Sequence, residues 1–189
     1  AFVAQMLIAL ALLAVTLAKL GETNRAPDPR ATAPRTLARN YALVLRSADF
    51  RAYTLFAGAS YAGIFAFISG SSFVLIRVLD VPTRYFGLAF AFCVCGYLLG
   101  AIACRRLLAH RSVARTARVG AVLSLTSGVA LVAAALVGPP HWVGVVGPGF
   151  VYFFAHGINF PCGQSGSVAP FPRHAGAAVG LYGFLVMAL

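Results

Sequence analysis

Fifty-four consecutive residues, Val119 to Pro172, contain no Asp, Glu, Lys or Arg. Three further runs are equally free of charge: Ala52 to Ile76, Tyr85 to Cys104 and Ala1 to Ala18. A hydrocarbon layer about 30 Å thick takes roughly 20 apolar helical residues to cross. A soluble core needs no run of that length. Only 10% of residues are charged, and the mean hydropathy is +0.86, against about 25% charged residues in soluble domains. The chain reads as an all-α polytopic membrane protein.

The net charge of +11 would suit nucleic acid if the basic residues shared one water-facing surface. Here they sit in short connections between apolar runs, which excludes that class. The runs predict spans at Phe2–Leu20, Ala52–Ile76, Tyr85–Cys104, Val119–Val137 and Val143–Cys162, and a sixth from Ala175 with only 15 residues. Basic residues number seven after the first span, five after the third and one after the fifth, whereas the other side carries only Arg77 and Arg84. By the excess of Lys and Arg in cytoplasmic loops, the first, third and fifth connections are expected to be cytoplasmic. The alternation holds across every span, and one missed helix would scramble it.

In domain terms, residues 1–20 form one transmembrane helix, 21–51 a basic cytoplasmic connector, and 52–189 an incomplete transmembrane bundle. Pro27, Pro29 and Pro34 interrupt any helix in the connector. Thr36 to Leu45 allows a short amphipathic helix on a membrane surface or a plain solvated linker. The chain lacks an initiator Met, and its last run stops short of a span. It is expected to be a fragment of a larger membrane protein.

Chemistry-bearing residues are few. No predicted span holds Asp or Glu, the usual proton carriers of pumps and symporters. Cys93, Cys95, Cys104 and Cys162 form no CxxC pair and read as small buried hydrophobes rather than metal ligands or disulfides. Neither a GxSxG nor an HExxH motif occurs, so no enzyme is expected, and no cofactor. His156 is the one His well inside a span. Tyr152 and Asn159 share its helical face at spacings of four and three, as a polar substrate or proton contact, or as a polar patch bonded to a neighbouring helix. The second span mixes Tyr61, Phe65 and Phe67 with Ser60, Ser69, Ser71 and Ser72, a composition suited to the wall of a cavity for amphiphilic ligands. Gly96 and Gly100 form one GxxxG pair and Gly176 and Gly180 another, a spacing that lets helices approach closely in lipid. Gly144, Gly147, Pro148 and Gly149 crowd the fifth span, where a weakened or kinked helix is expected.

Glu22-Thr23 just past the first span, the basic connector, and SYAGIFAFISGSSFVLI (Ser60 to Ile76) then form a recognisable order. In that last segment Gly63, Phe65, Phe67, Ile68, Ser69, Phe73 and Val74 carry the pattern. With APFPRHAGAAVGLYGF (Ala169 to Phe184), in which Pro172, Ala175 and Gly176 fall in place, the chain resembles the Bcr/CflA-type drug-resistance branch of the major facilitator superfamily. The resemblance runs over nearly the whole chain, as spans six to eleven of twelve. Two places depart from it: Cys104-Arg105-Arg106 stands where an acidic residue is usual, and Pro161 precedes Cys162 rather than Asn.

The resemblance implies half of a twelve-helix major-facilitator-type fold, with five full transmembrane helices and a truncated sixth. It implies proton-coupled efflux of drugs or small amphiphilic metabolites across a bacterial inner membrane, by a multi-pass antiporter. The partners would be the lipid bilayer, a small-molecule substrate, protons and the missing amino-terminal half, which would hold the coupling carboxylate. From this half Tyr61, Phe65, Ser69, Ser72, Tyr152, His156 and Asn159 would line the substrate cavity. Uptake or metabolite carriage by the same superfamily, and a non-transporting membrane subunit, stand as alternatives.

Overall fold

The computed structural model describes residues 2–19, 33–137 and 141–189. Glu22, Thr23, Pro27 and Pro29, and the turn at Gly138, Pro139 and Pro140, lie outside the described residues. The described residues are almost wholly helical. The helices are α1 (Phe2–Lys19), α2 (Pro34–Arg46), α3 (Ala48–Phe73), α4 (Thr83–Leu108), α5 (Val113–Val137), α6 (Val143–Val168) and α7 (Ala175–Ala188). A π-helical turn, Val74–Val78, extends α3, and a 3-10 turn, Pro172–His174, precedes α7. Five of these elements are long and apolar enough to cross a membrane: α1, α3 with its π turn, α4, α5 and α6. The protein is an all-α, multi-pass membrane protein whose outer helical faces contact lipid. At 1.5 Å per residue the 14 residues of α7 reach about 21 Å.

The chain divides into two compact units, Ala1–Leu37 and Ala38–Leu189. The first contains α1, apolar along its length.

The ends of the helices follow from local chemistry. Ser47 sits extended between α2 and α3, and its hydroxyl accepts the Phe50 N–H at 3.3 Å. Asp49 in the first turn of α3 faces the positive end of the helix dipole. Arg51 turns back and donates to the Leu45 and Arg46 carbonyls at 2.9 and 3.1 Å, filling acceptors that the end of α2 leaves open. Ser112 Oγ accepts the Arg115 N–H at 3.4 Å at the start of α5. Asp80 follows the π turn at φ 51°, a left-handed conformation that Asp tolerates better than most residues.

Within the second unit α6 is the central element, packed on α3, α4, α5 and α7. Glycines explain its place. A Cβ on Gly96 would strike the Phe150 carbonyl, one on Gly100 the Phe154 carbonyl, and one on Gly157 the backbone of Tyr97. Helices α4 and α6 therefore run parallel with their backbones in contact, which only small residues allow. Gly149 receives the Phe67 ring, and Gly166 the Tyr53 ring, from antiparallel α3. The Gly176 and Gly180 pair plays no such part. Among the described residues no side chain or neighbouring backbone comes within 4 Å of a Gly176 Cβ, and Gly180 meets only the Tyr41 hydroxyl at 3.8 Å.

One other expectation shifts. The fifth span does not end at Cys162, because α6 continues to Val168. Its small polar tail GQSGSV packs Gly163 and Gly166 against α3 instead of turning away. Pro148 and Pro161 both lie inside α6, which runs as one helix over Val143–Val168. Each proline withholds an N–H from the carbonyl four residues back, that of Gly144 or Gly157, while its own carbonyl takes a hydroxyl: Ser127 donates to Pro148 O at 2.6 Å and Ser165 to Pro161 O at 2.8 Å. Thr36 to Leu45 falls within α2, so this stretch is helical, and Val44 anchors it. Val44 is fully buried in a cluster with Phe50, Ala57, Ala178 and Tyr182.

Candidate functional site

Halfway along α6, three side chains at helical spacing turn toward α3. Ser60 is their common partner. Its hydroxyl lies 2.9 Å from His156 Nδ1 and accepts Asn159 Nδ2–H at 3.1 Å, while its backbone carbonyl accepts the Tyr152 hydroxyl at 3.3 Å. The second amide hydrogen of Asn159 goes to Ser124 Oγ of α5 at 2.9 Å. One residue thus ties α6 to both α3 and α5. Asn159 is 1% exposed and His156 5%, a depth at which polar groups need partners. Glycines again make the room. A Cβ on Gly63 would meet the Tyr152 hydroxyl, and one on Gly120 the Asn159 carbonyl oxygen.

On the other side of His156 is a cavity of about 270 Å³, lined by Tyr61, Ile64, Val94, Tyr97, Phe153 and Phe160 with the imidazole itself. The His156 ring stands 6.0 Å from Tyr61, 5.9 Å from Tyr97 and 5.6 Å from Phe160, centroid to centroid. Three helices contribute: α3, α4 and α6. Apolar walls with few fixed polar groups are the pattern of small-molecule sites. A larger hollow of about 840 Å³ lies near Trp142, where α3, α4 and α6 meet. Its lining is mostly aliphatic and aromatic, with Asp80 its only charged member among the described residues. It lacks the convergent polar groups that make the smaller cavity the better candidate.

The structure distributes the seven sequence candidates unevenly. Tyr61 and His156 line the cavity. Phe65 extends the wall, its ring 4.9 Å from Tyr61. Tyr152 and Asn159 hold helices together instead. Ser69 and Ser72 continue the Tyr61 face along α3 by helical spacing, yet neither joins the Ser60 network. Sequence reasoning missed the roles of Ser60, Ser124, Tyr97, Phe153 and Phe160. Phe160 was within reach of the spacing argument, at four residues from His156. Tyr97 and Ser124 carry no local signal, because only the packing of α4 and α5 brings them in.

The four cysteines are free thiols. Cys93, Cys104 and Cys162 are buried, as expected of small hydrophobes, whereas Cys95 is exposed. Cys104 and Cys162 meet across α4 and α6 with their sulfurs 3.7 Å apart.

No family model matches the chain, and no solved structure matches it. Two curated proteins are similar in sequence. One is the bicyclomycin resistance protein homolog of Haemophilus influenzae, 25% identical over 114 residues, which covers 60% of this chain and 29% of that protein. The other is multidrug resistance protein D of Escherichia coli, 29% identical over 160 residues, covering 81% of this chain and 39% of that protein. The chain thus spans about a third of the length of the curated relatives it matches. At low identity, both agree with the resemblance to the Bcr/CflA-type drug-resistance branch drawn from the residues.

Proposed function

We propose that this chain is the carboxy-terminal part of a proton-coupled efflux transporter, exporting drugs or small amphiphilic metabolites across a bacterial inner membrane. The observation that carries the reading is the aromatic cavity beside His156, held between three packed membrane helices in a chain similar to two drug-resistance proteins. Apolar walls would accept the body of an amphiphile, and the few polar groups would orient it. No Asp or Glu lies in α3, α4, α5, α6 or α7 apart from Asp49 in the first turn of α3. Proton coupling would accordingly rest on a carboxylate of an amino-terminal bundle, and alternating access on that bundle rocking against this one.

The basic connections at 21–51 and 105–118 would face the cytoplasm. A single Cys placed at Ser112 in a Cys-free background should resist a membrane-impermeant maleimide in intact cells and react in inverted vesicles. A Cys at Thr83 should do the reverse, and any other pattern refutes this orientation.

For transport itself, cells expressing the complete protein should accumulate less of an amphiphilic drug, and a protonophore should abolish the difference. Unchanged accumulation across a broad drug panel would remove the efflux reading. Raised accumulation would favour uptake.

A further inference from the structure

The hydrogen bonds around Ser60 bear on which nitrogen of His156 carries its proton. Asn159 is the starting point. Its Nδ2 lies within bonding distance of two hydroxyl oxygens, Ser60 Oγ at 3.1 Å and Ser124 Oγ at 2.9 Å. Its Oδ1 is buried without a hydrogen-bond partner among the described residues and lies against Gly120. Turning the amide over would aim two N–H donors at a glycine Cα, where nothing can accept them. The observed orientation leaves one acceptor there, which a weak Cα–H contact can serve. Asn159 therefore donates to both hydroxyls. Ser60 Oγ, already accepting from Asn159, can give its own hydrogen to His156 Nδ1 at 2.9 Å, the alternative being an Nδ1–H given to its second lone pair. A neutral imidazole that accepts at Nδ1 carries its hydrogen at Nε2.

That Nε2–H has no protein partner among the described residues, although His156 is 5% exposed and is part of the cavity lining. The other polar groups on the lining are the Tyr61 and Tyr97 hydroxyls, each able to donate or accept. No charged side chain is among the lining residues. With Nδ1 accepting, the imidazole faces the cavity as a donor, whereas the two hydroxyls can turn either way.

We infer that Ser60 donates to His156 Nδ1, and that the cavity recognises a neutral, planar aromatic group bearing a hydrogen-bond acceptor, such as a ring nitrogen or carbonyl, which His156 Nε2–H would bind while the aromatic walls stack on its faces. About 270 Å³ suits one or two fused rings. An organic cation would meet the positive end of the N–H dipole. This inference rests on the reading of the cavity as a ligand site and names the ligand class that it selects.

Three bicyclic probes of near-equal shape test it: quinoline, with an acceptor nitrogen; naphthalene, with none; and indole, with a donor N–H. The full chain is placed in lipid nanodiscs with its histidines ¹⁵N-labelled, and the His156 signals are assigned by their loss in His156→Gln. The expected spectrum shows the proton on Nε2, and quinoline shifts that resonance whereas indole does not. Quinoline should bind about three- to tenfold more tightly than naphthalene, as one neutral hydrogen bond allows. His156→Phe should erase that preference. His156→Gln should restore it in part, since its amide can place a donor near the Nε2 position. Thermal unfolding of each variant confirms a folded bundle. A proton on Nδ1, or equal binding of quinoline and naphthalene, overturns the inference and leaves the ligand site standing. Binding of none of the three probes overturns both.

Discussion

Gly100→Leu is expected to separate α4 from α6 and to destabilise the bundle more than any other single change considered. The geometry leaves no compromise. A Cβ at Gly100 would fall on the Phe154 carbonyl, with the Phe154 C and Cα also inside ordinary contact distance at 2.8 and 3.0 Å. These are backbone atoms of the central helix, which cannot rotate aside as a side chain could. Gly157 faces the same seam from α6, against Tyr97 O and Ala101 N. Overpacking a core costs about 1–3 kcal/mol where side chains can give, so a loss at or beyond the top of that range is expected here. Thermal unfolding in nanodiscs should show a large fall in midpoint for Gly100→Leu. Gly128→Leu is the matched control, since a Cβ there meets nothing within 4 Å among the described residues. Equal effects of the two substitutions would mean that helix propensity, not the α4–α6 seam, sets the cost. Gly176→Ala should likewise be nearly silent, although its GxxxG spacing is the same.

That contrast shows where sequence ran out. The spacing of Gly96 with Gly100 equals that of Gly176 with Gly180, and nothing local distinguishes the pair that packs from the pair that does not. What differs is the neighbour: Phe150 and Phe154 of α6 lie across one pair, and α6 reaches that seam only through the packing of the whole bundle. Span positions were legible because bilayer thickness imposes a length and Arg residues mark the ends. The end of α6 was not. Gly163, Gln164, Ser165, Gly166 and Ser167 read as a polar loop by propensity, yet in the bundle Gly163 and Gly166 are sites of close approach for α3. Ser167 turns its hydroxyl back to the Gln164 carbonyl at 3.0 Å, a local bond that lets a polar residue stay helical when buried. The site divides the same way. One helix carries Tyr152, His156 and Asn159 on a single face, so period alone gathered them. Which of them meet a cavity depends on α3 and α4. Ser60 and Tyr61 are adjacent in sequence, but about 100° of helical rotation sends one into the hydrogen-bond network and the other to the cavity wall.

Asn159→Ala is expected to cost about 2 kcal/mol, the second large effect, because it cuts two interhelical hydrogen bonds at once. Single hydrogen bonds between membrane helices average about 0.6 kcal/mol and reach about 1.7. The amide also fills the space above Gly120, so its removal leaves a gap between α5 and α6 in addition to the lost bonds. The abandoned hydroxyls of Ser60 and Ser124 can return to carbonyls one turn back on their own helices, which limits the penalty from unsatisfied groups. Ser60→Ala should cost less, about 1 kcal/mol, since His156 keeps its aromatic neighbours. The decisive number is the coupling. In a double-mutant cycle the two substitutions should fall short of additivity by about 0.5–1.5 kcal/mol, as residues sharing a bond do. Ser69→Ala, exposed on the same helix as Ser60 and outside the network, should show no coupling to Asn159. Additivity of Ser60→Ala with Asn159→Ala would mean that the polar cluster only fills space, and that α6 is held to α3 by its glycine contacts without help from hydrogen bonds.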